Sequence, residues 1–324
     1  MDILNQICEK YGVNRTYLVA INDGLQNSIF SYRRDEKEYI LRISNSNRRS
    51  VEQLQSELTF IEGLAKSGLP VSKPVLSANL RLVEEINEQN STFFTVAFTK
   101  AKGKPINVTD SSVWNGDLFF RWGKFIGKMH SLSGRFKGLQ RPEWTVANPD
   151  LLNLLPKINT DVVKKRYLQL LDKLSHYQKS PDLFGLIHND FHQGNFFFDN
   201  GEMTVFDFDD CAYNWFAYDL AVSFYHAYWQ ATSFTQDNIN FSDIFWANFL
   251  RGYTSERTMT KELIEQVPIF LKIREIFLYV LFLEKWDLVH LEDWQEYTLK
   301  DLKYKIDNKI PYSYTNFQEI SIQY

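Results

Sequence analysis

The segment from His188 to Asp207 is the part of the chain best equipped for chemistry, because polar side chains there stand among short apolar runs. Asn195 and Asp207 offer an amide and a carboxylate oxygen, the hard ligands that Mg²⁺ prefers while it keeps positions for water and phosphates. Asp190 lies in the loop before Asn195 and can orient or deprotonate an attacking hydroxyl, while His188 braces the loop. These residue types predict a divalent-cation site next to a carboxylate that acts on a hydroxyl group.

The turn between the flanking apolar runs decides whether the two proposed metal ligands share a face. The sequence Asp199-Asn200-Gly201 predicts a hairpin, since Gly201 takes a positive φ at little cost. A three-residue loop pairs residue 195 with 205 and makes Asn195 and Asp207 diagonal neighbours on one face. A two-residue Asn-Gly loop shifts the register and puts these side chains on opposite faces. A shared cation favours the three-residue loop.

Other interpretations of the same residues stay open. The string of His188, Asp190 and His192 could belong to a metal-dependent hydrolase, which would need further ligands that no second histidine cluster supplies. Asp209 and Asp210 could bind metal or cap the following segment. Several aromatic residues could line an acceptor pocket or pack in the core: Tyr213, Trp215, Tyr225, Tyr228 and Trp229.

Short β-type runs dominate the first hundred residues and predict a small antiparallel sheet. The runs cover residues 16–21, 28–32, 39–43 and 93–98, and the polar stretch 34–37 turns the chain between the second and third. Ser50 and Gln53 predict a capping box, after which apolar residues recur at helical spacing until Gly68. Glu57 lies beside that apolar face, so its carboxylate is expected to point toward the sheet.

Helical periodicity takes over after Lys100, and residues 102–105 predict a linker. An apolar stripe from Leu118 to Met129 predicts one helix, and long helical patterns cover residues 217–234 and 241–286. The change of character predicts a lobe boundary near Lys100.

The chain resembles the aminoglycoside phosphotransferase and choline kinase superfamily through the pattern H-N-D-x-x-x-x-N from His188, followed by D-F-D from Asp207. The resemblance implies an α+β, protein-kinase-like fold with two lobes. The smaller lobe would hold an antiparallel sheet and one main helix, and the larger would be mostly helical. It also implies Asp190 as catalytic base, Asn195 and Asp207 as Mg²⁺ ligands, and residues 218–221 as support for the catalytic loop.

The same resemblance assigns nucleotide contacts in the first lobe. Residues 23–27 would turn over the phosphates, strand 39–43 would contact them, and the hinge beside adenine would include Val96 and Phe98. The family usually has a lysine paired with a helix carboxylate on that strand, whereas this chain has Arg42, with Glu57 as its expected partner. A guanidinium fork can bind phosphate bidentately but is not equivalent to the point charge of a lysine.

The resulting prediction is an ATP- and Mg²⁺-dependent kinase that phosphorylates a small-molecule hydroxyl. Residues 1–100 would bind nucleotide, the hinge would lie at about 96–103, and residues 104–324 would carry the catalytic and acceptor sites. Choline- or ethanolamine-like, homoserine-like and aminoglycoside-like acceptors all suit it. The alternatives are a Ser/Thr protein kinase of the same fold, a nucleotide-binding pseudokinase and the hydrolase.

Composition restricts location and partners. The 324 residues carry a net charge of −4, so no global basic field is available for nucleic acid or anionic lipid. The two cysteines form no metal spacing and no disulfide framework, and the charged N-terminus lacks a secretory signal. Residues 276–283 form an apolar run too short to span a bilayer. We expect a cytoplasmic protein, and the sequence gives no oligomeric state.

Overall fold

The computed structural model describes residues 2–23, 27–89, 91–145, 154–234, 240–317 and 319–320. The chain divides into two compact units. The first comprises Met1–Pro105, Phe136–Arg141 and Gly194–Asp209, and the second comprises Ile106–Arg135, Pro142–Gln193 and Asp210–Tyr324.

Eight α-helices and ten strands are found within the described residues. The helices are α1 Ile3–Tyr11, α2 Val51–Lys66, α3 Gly116–Leu132, α4 Asp161–Ser175, α5 Phe216–Phe234, α6 Phe241–Thr254, α7 Lys261–Lys285 and α8 Asp293–Asp307. The strands are β1 Val19–Asp23, β2 Ser28–Arg34, β3 Lys37–Asn45, β4 Pro74–Val75, β5 Val83–Glu88, β6 Ser91–Thr99, β7 Phe184–Ile187, β8 Phe196–Asp199, β9 Glu202–Val205 and β10 Ala212–Trp215.

The first unit is built on an antiparallel sheet in the order β1-β2-β3-β6-β4, with β5 also paired to β6. The predicted strands are present, except that the first begins at Val19, because Arg15–Tyr17 form a 3₁₀ turn before it. The predicted hairpin joins β2 and β3, and Asp35 and Glu36 adopt positive φ in its turn. Strands β4 and β5 and helix α1 were not predicted. The α1 segment has only nine residues, which is marginal for a helix on its own, and Asp2 at its N-cap makes no side-chain hydrogen bond to the helix.

Helix α2 begins with the predicted capping box, in which Ser50 and Gln53 each accept a hydrogen bond from the other's backbone amide. Its apolar residues, including Leu54 and Leu58, are buried, which fixes the helix against the rest of the unit. Glu57 is carried on the same helix and is also fully buried.

The hairpin of β8 and β9 corrects the predicted register. Asp199 pairs with Glu202 and Phe196 pairs with Val205, so the loop is the two-residue Asn200-Gly201 turn. Both turn residues have positive φ, as this tight hairpin requires. The three-residue loop, and with it the cross-strand placement of Asn195 and Asp207, was therefore wrong.

The second unit is largely helical, and helices α3 and α6 pack backbone against backbone. A Cβ added to Gly123 would lie 1.9 Å from the carbonyl oxygen of Phe249, and one on Gly252 would lie 1.9 Å from that of Phe120. Only glycine permits this approach. The predicted pattern 241–286 is divided into α6 and α7, and Thr260 caps the second helix.

A two-stranded ladder of β7 and β10 supports the loop that carries Asp190. Ile187 pairs with Ala212 at the end of β7, immediately before His188. The five aromatic residues considered for an acceptor pocket divide between core and partly exposed positions: Trp215 and Tyr225 are buried, whereas Tyr213, Tyr228 and Trp229 are half-buried. No helix in the described part of the chain has the length and apolarity needed to cross a bilayer.

Candidate active site

A cavity of about 550 Å³ lies within the first unit. Its walls are mainly apolar, but Arg42, Glu57 and Asp207 also line it. Most of the remaining lining comes from β1, β2, β3, β6 and the 197–208 segment: Ile21, Ile29, Ile40, Phe98, Thr99, Lys100, Phe197, Phe206 and Phe208. A cavity of this size, with few polar groups, is typical of small-molecule sites.

Arg42 and Glu57 form a buried ion pair beside this cavity. Arg42 extends from β3, and its two terminal nitrogens donate to the two carboxylate oxygens of Glu57 at 2.9 and 2.7 Å. The guanidinium also lies 5.3 Å from the ring centroid of Phe98. Burial alone would raise the pKa of the Glu57 carboxyl, but Arg42, with smaller effects from Arg141 and Arg49, lowers it. Glu57 is therefore a carboxylate.

Of the four predicted nucleotide contacts, Arg42, Glu57 and Phe98 line the cavity. Val96 is buried on β6, where it is the cross-strand neighbour of Arg42, and it does not belong to the cavity lining. Residues 24–26 of the predicted phosphate turn lie outside the described residues.

Asp209 collects several basic side chains, a feature that the sequence did not reveal. Its carboxylate accepts a hydrogen bond from Asn27 at 2.9 Å and from Arg48, and it lies 3.8 Å from Arg42 and 3.6 Å from Arg49. The side chain is 4% exposed. So many guanidinium partners identify Asp209 as the centre of an ion-pair network.

Arg141 joins this network from the short 136–141 segment. It donates to the carbonyl oxygen of Asp209 and, at 3.1 Å, to that of Gln53 near the start of α2. Four guanidinium groups, from residues 42, 48, 49 and 141, thus face the carboxylates of Glu57 and Asp209, an excess of two positive charges. Such an excess attracts anions such as phosphates.

The proposed metal ligands both belong to the first unit. Asn195 is buried immediately before β8, and its carbonyl oxygen accepts a hydrogen bond from Phe206 at 2.9 Å. Asp207 follows β9, is exposed, and has a φ of +62°. This positive φ breaks strand geometry, so strand alternation does not decide where its side chain points.

Metal coordination at this place would depend on few protein groups. No cluster of three or more His, Cys, Asp or Glu side chains able to hold a metal ion occurs within the described residues. An amide and one carboxylate nevertheless fit Mg²⁺, which is commonly held by one or two carboxylates together with water and substrate phosphates.

Asp219, at the start of α5, holds the loop of the second unit that carries Asp190. Its carboxylate accepts hydrogen bonds from the amides of His188 at 3.1 Å and Asn189 at 2.7 Å. His130 Nε2 donates to the same carboxylate at 3.1 Å, so its Nδ1 accepts from the Tyr253 hydroxyl at 3.1 Å. The expected support of the loop by residues 218–221 is therefore present.

Further contacts fix the loop backbone around Asp190. Asn189 has a φ of +71°, and its side-chain oxygen accepts a hydrogen bond from Asn214 at 3.0 Å. The Asp190 amide lies 3.4 Å from Nδ1 of the buried His188, which also stacks on Phe191. The bracing role predicted for His188 agrees with these contacts.

Arg274 is the principal partner of the Asp190 carboxylate. Arg274 Nη2 donates to Asp190 Oδ1 at 2.7 Å, and His192 Nε2 lies 3.5 Å from Oδ2. Burial alone would raise the pKa of Asp190, but the charges of Arg274, His192 and His226 lower it well below its usual value. Asp190 is consequently a carboxylate throughout the neutral range. Nothing in the sequence near His188 signalled a partner from α7.

Comparisons with known proteins agree with this architecture. The profile of the phosphotransferase enzyme family matches residues 18–257. Amicoumacin kinase from Bacillus subtilis (strain 168) is 30% identical over 325 residues, which covers 98% of this chain and 95% of that protein.

Two solved structures show the same fold. An amicoumacin kinase in complex with AMP-PNP, Ca²⁺ and Ami has a TM-score of 0.90 at 30% identity, covering 98% of this chain and 96% of that one. A microcompartment-associated aminopropanol kinase has a TM-score of 0.75 at 21% identity, covering 94% of each chain.

The fold is thus the α+β, protein-kinase-like fold expected from the sequence, and the protein is a kinase. The chain belongs to the phosphotransferase enzyme family, which confirms the resemblance carried by the segment from His188 to Asp207.

Proposed function

We propose that this kinase transfers the terminal phosphoryl group of ATP to a hydroxyl group of a small molecule in a Mg²⁺-dependent reaction. The observation that carries the proposal is the cavity of the first unit, where apolar walls meet the Arg42–Glu57 pair and Asp207. Apolar walls suit a nucleobase, and a held guanidinium suits phosphate oxygens. The AMP-PNP and Ca²⁺ bound by the related amicoumacin kinase support nucleotide and divalent-cation use.

Each proposed residue has one task. Asn195 and Asp207 would hold Mg²⁺, which when bound offsets negative charge on the phosphates. Arg42 would contact the phosphates while Glu57 keeps its guanidinium in place. Val96 and Phe98 would belong to the hinge beside the base. Phe98 lines the cavity, whereas Val96 is buried and would only support the conformation of β6. The division into a nucleotide lobe at 1–100 and an acceptor lobe at 104–324 remains part of this proposal.

Asp190 would position the acceptor hydroxyl and receive its proton. The hydroxyl oxygen forms a bond to the terminal phosphorus as the bond from that phosphorus to ADP breaks, and ADP leaves with the electron pair. The proton of the hydroxyl passes to the Asp190 carboxylate and then to solvent. Because the pKa of Asp190 is lowered, it is a weak base, so alignment of the hydroxyl is its main contribution.

The acceptor is proposed from the relatives. Amicoumacin is the first compound to test, because a kinase named for it aligns with 98% of this chain. Homoserine and aminopropanol come next, because kinases named for these amino alcohols are also similar to the chain. Choline, ethanolamine and an aminoglycoside complete the panel.

The test is Mg²⁺-dependent ADP release with each acceptor, confirmed by detection of the phosphorylated product. Asp190→Asn is expected to transfer phosphate roughly 10² to 10⁴-fold more slowly than the parent. Asp293→Asn, at an exposed position on α8, is the matched control and should retain the parent rate. Equal rates for the parent and Asp190→Asn would refute the role of Asp190. ATP binding without phosphorylation of any acceptor would favour the pseudokinase alternative.

A further inference from the structure

The Arg274 guanidinium is fixed from several sides before it reaches the Asp190 carboxylate. It is 6% exposed, and its Nε and Nη2 lie 3.2 and 2.8 Å from Nε2 of His226 on α5. Since arginine can only donate, His226 accepts at Nε2 and carries its proton on Nδ1. The ring of Phe277 lies 5.0 Å from the guanidinium carbon. Contacts from α5 and α7 therefore fix the position of the Arg274 guanidinium.

This setting distinguishes Arg274 from a binding group for an anionic acceptor. An anion-binding arginine presents donor groups to the ligand, whereas Arg274 is almost completely buried and directs Nε and Nη2 at His226 and Asp190. Asp190 is more accessible, with 28% of its side chain exposed. The carboxylate, and not the guanidinium, is the group that an acceptor can reach.

We propose that Arg274 is a positioning residue of this kinase: its 2.7 Å ion pair with Oδ1 sets the rotation of the Asp190 carboxylate, so that Oδ2 is the oxygen presented to the acceptor hydroxyl. The inference rests on the proposed function, since it presupposes that Asp190 acts on an acceptor. Arg274 does not touch the acceptor and acts through Asp190 alone. A carboxylate free to rotate would present either oxygen, and small displacements of a reacting group slow transfer strongly.

Several charged or titratable groups face Asp190 and bear on its pH dependence. Arg274 approaches from α7, and His226 and Tyr218 approach from α5. His188 and His192 belong to the loop of Asp190 itself, and Asp210 acts on Tyr218. Arg274 carries the permanent positive charge of this group, so its loss should raise the pKa of Asp190. The acid limb of the rate profile would then move to higher pH.

The experiment measures kcat, the KM for ATP and the pH profile for the parent, Arg274→Gln and Arg274→Lys. Arg274→Gln should lower kcat by roughly 10 to 10²-fold, leave the KM for ATP unchanged and shift the acid limb upward. Arg274→Lys keeps the charge and hence the acid limb, but it lacks the planar fork, so kcat should still fall, by roughly three- to tenfold. Arg121→Gln removes an exposed arginine that pairs with Asp117 at the same 2.7 Å and is the matched control.

A double substitution separates positioning from general damage. If Arg274 acts through Asp190, adding Arg274→Gln to Asp190→Asn should lower kcat no further than Asp190→Asn alone. An equal loss in both backgrounds would overturn the proposal, as would a parent-like kcat and pH profile for Arg274→Gln. If thermal melting shows that Arg274→Gln does not fold, Arg274→Lys decides, and an unchanged kcat would then refute the positioning role. A parent that phosphorylates no acceptor would instead refute the proposed function.

Discussion

The buried pair of Arg42 and Glu57 allows a prediction in which structural and nucleotide-binding roles can be separated. Glu57→Gln keeps the shape of the side chain but removes its charge. The guanidinium of Arg42 would remain 4% exposed, and the Asp209 carboxylate would lie 3.8 Å from it. Arg141 and Arg49 also act on Glu57, so the substitution increases the excess of positive charge in the cluster.

Breaking a buried ion pair by removing one partner costs about 3 to 5 kcal/mol. A change of that size lowers the melting temperature by roughly 6 to 20 °C, at about 2 to 4 °C per kcal/mol for domains of 150 to 250 residues. The direction in which the stability contribution of this pair changes with pH follows from the lowered pKa of Glu57. Its pairing stabilises the fold above the pKa of the unfolded chain and is lost as pH falls through the lower folded value. The difference in melting temperature between the parent and Glu57→Gln should therefore become smaller at acidic pH.

Thermal and urea unfolding of both proteins at neutral and acidic pH measures this difference. Glu38→Gln is the control, because the exposed Glu38 carboxylate pairs with Arg33 at 3.3 Å and with Lys100 at 3.0 Å, and the loss of such surface pairs should hardly change the midpoint. The double variant Arg42→Met with Glu57→Met removes both charges and should regain most of the stability without regaining ATP affinity. A neutral-pH loss below about 1 kcal/mol for Glu57→Gln would refute the reasoning, since that is typical of an exposed pair.

Three further predictions concern other parts of the structure. Asp207→Asn removes a charge while tolerating the positive φ, and it should reduce the Mg²⁺-dependent gain in ATP affinity by roughly tenfold or more; an equal gain, measured by calorimetry, would refute the ligand role. Gly123→Ala would place a methyl group 1.9 Å from the carbonyl oxygen of Phe249 and should lower the free energy of unfolding, measured with urea, by about 1 to 3 kcal/mol. Gly134→Ala is the control, because its methyl group would meet no atom within 4 Å. Equal unfolding midpoints for the two variants would contradict the close packing of α3 and α6. Asp219→Asn offers only one acceptor oxygen, and a neutral one, to the two buried loop amides of His188 and Asn189, so kcat should fall by about 10²-fold with little change in the KM for ATP. An unchanged kcat would show that the loop does not need this support.

Local patterns predicted much of the fold, and they selected the candidate site residues that the proposed function uses. Local sequence preference and tertiary packing agree in three places: the capping box at Ser50, the alternating strands and the apolar stripe on α3. The segment from His188 to Asp207 was recognisable because its polar residues sit at fixed spacing among apolar ones.

The register of the β8–β9 hairpin shows where such reasoning fails. Two loop lengths were compatible with Asp199-Asn200-Gly201, and the preference for a shared cation selected the wrong one. That preference assumed that Asp207 continues the strand, whereas its positive φ takes it out of the ladder. Backbone conformation at a single residue is not encoded in periodicity.

Partners distant in sequence were also missed. Arg274 lies 84 residues from Asp190, and Arg48 lies 161 residues from Asp209. A single sequence does not show which distant residues are close in space. An arginine within an apolar helix pattern is usually interpreted as a surface residue whose aliphatic stem covers apolar side chains, and not as the partner of a buried carboxylate. Only the packing of α7 and of the turn after β3 reveals what these residues do.

The hydrogen bonds to Asp219 have a consequence for motion. The His188 and Asn189 amides end on a fully buried carboxylate, which His130 and Tyr253 link to the glycine-packed helices α3 and α6. Hydrogen exchange at these two amides should therefore require opening of the helical core and be as slow as in the core helices. The backbone that presents Asp190 is thereby isolated from fluctuations at the surface. Under the proposed function, residues around the acceptor can change without moving the Asp190 carboxylate.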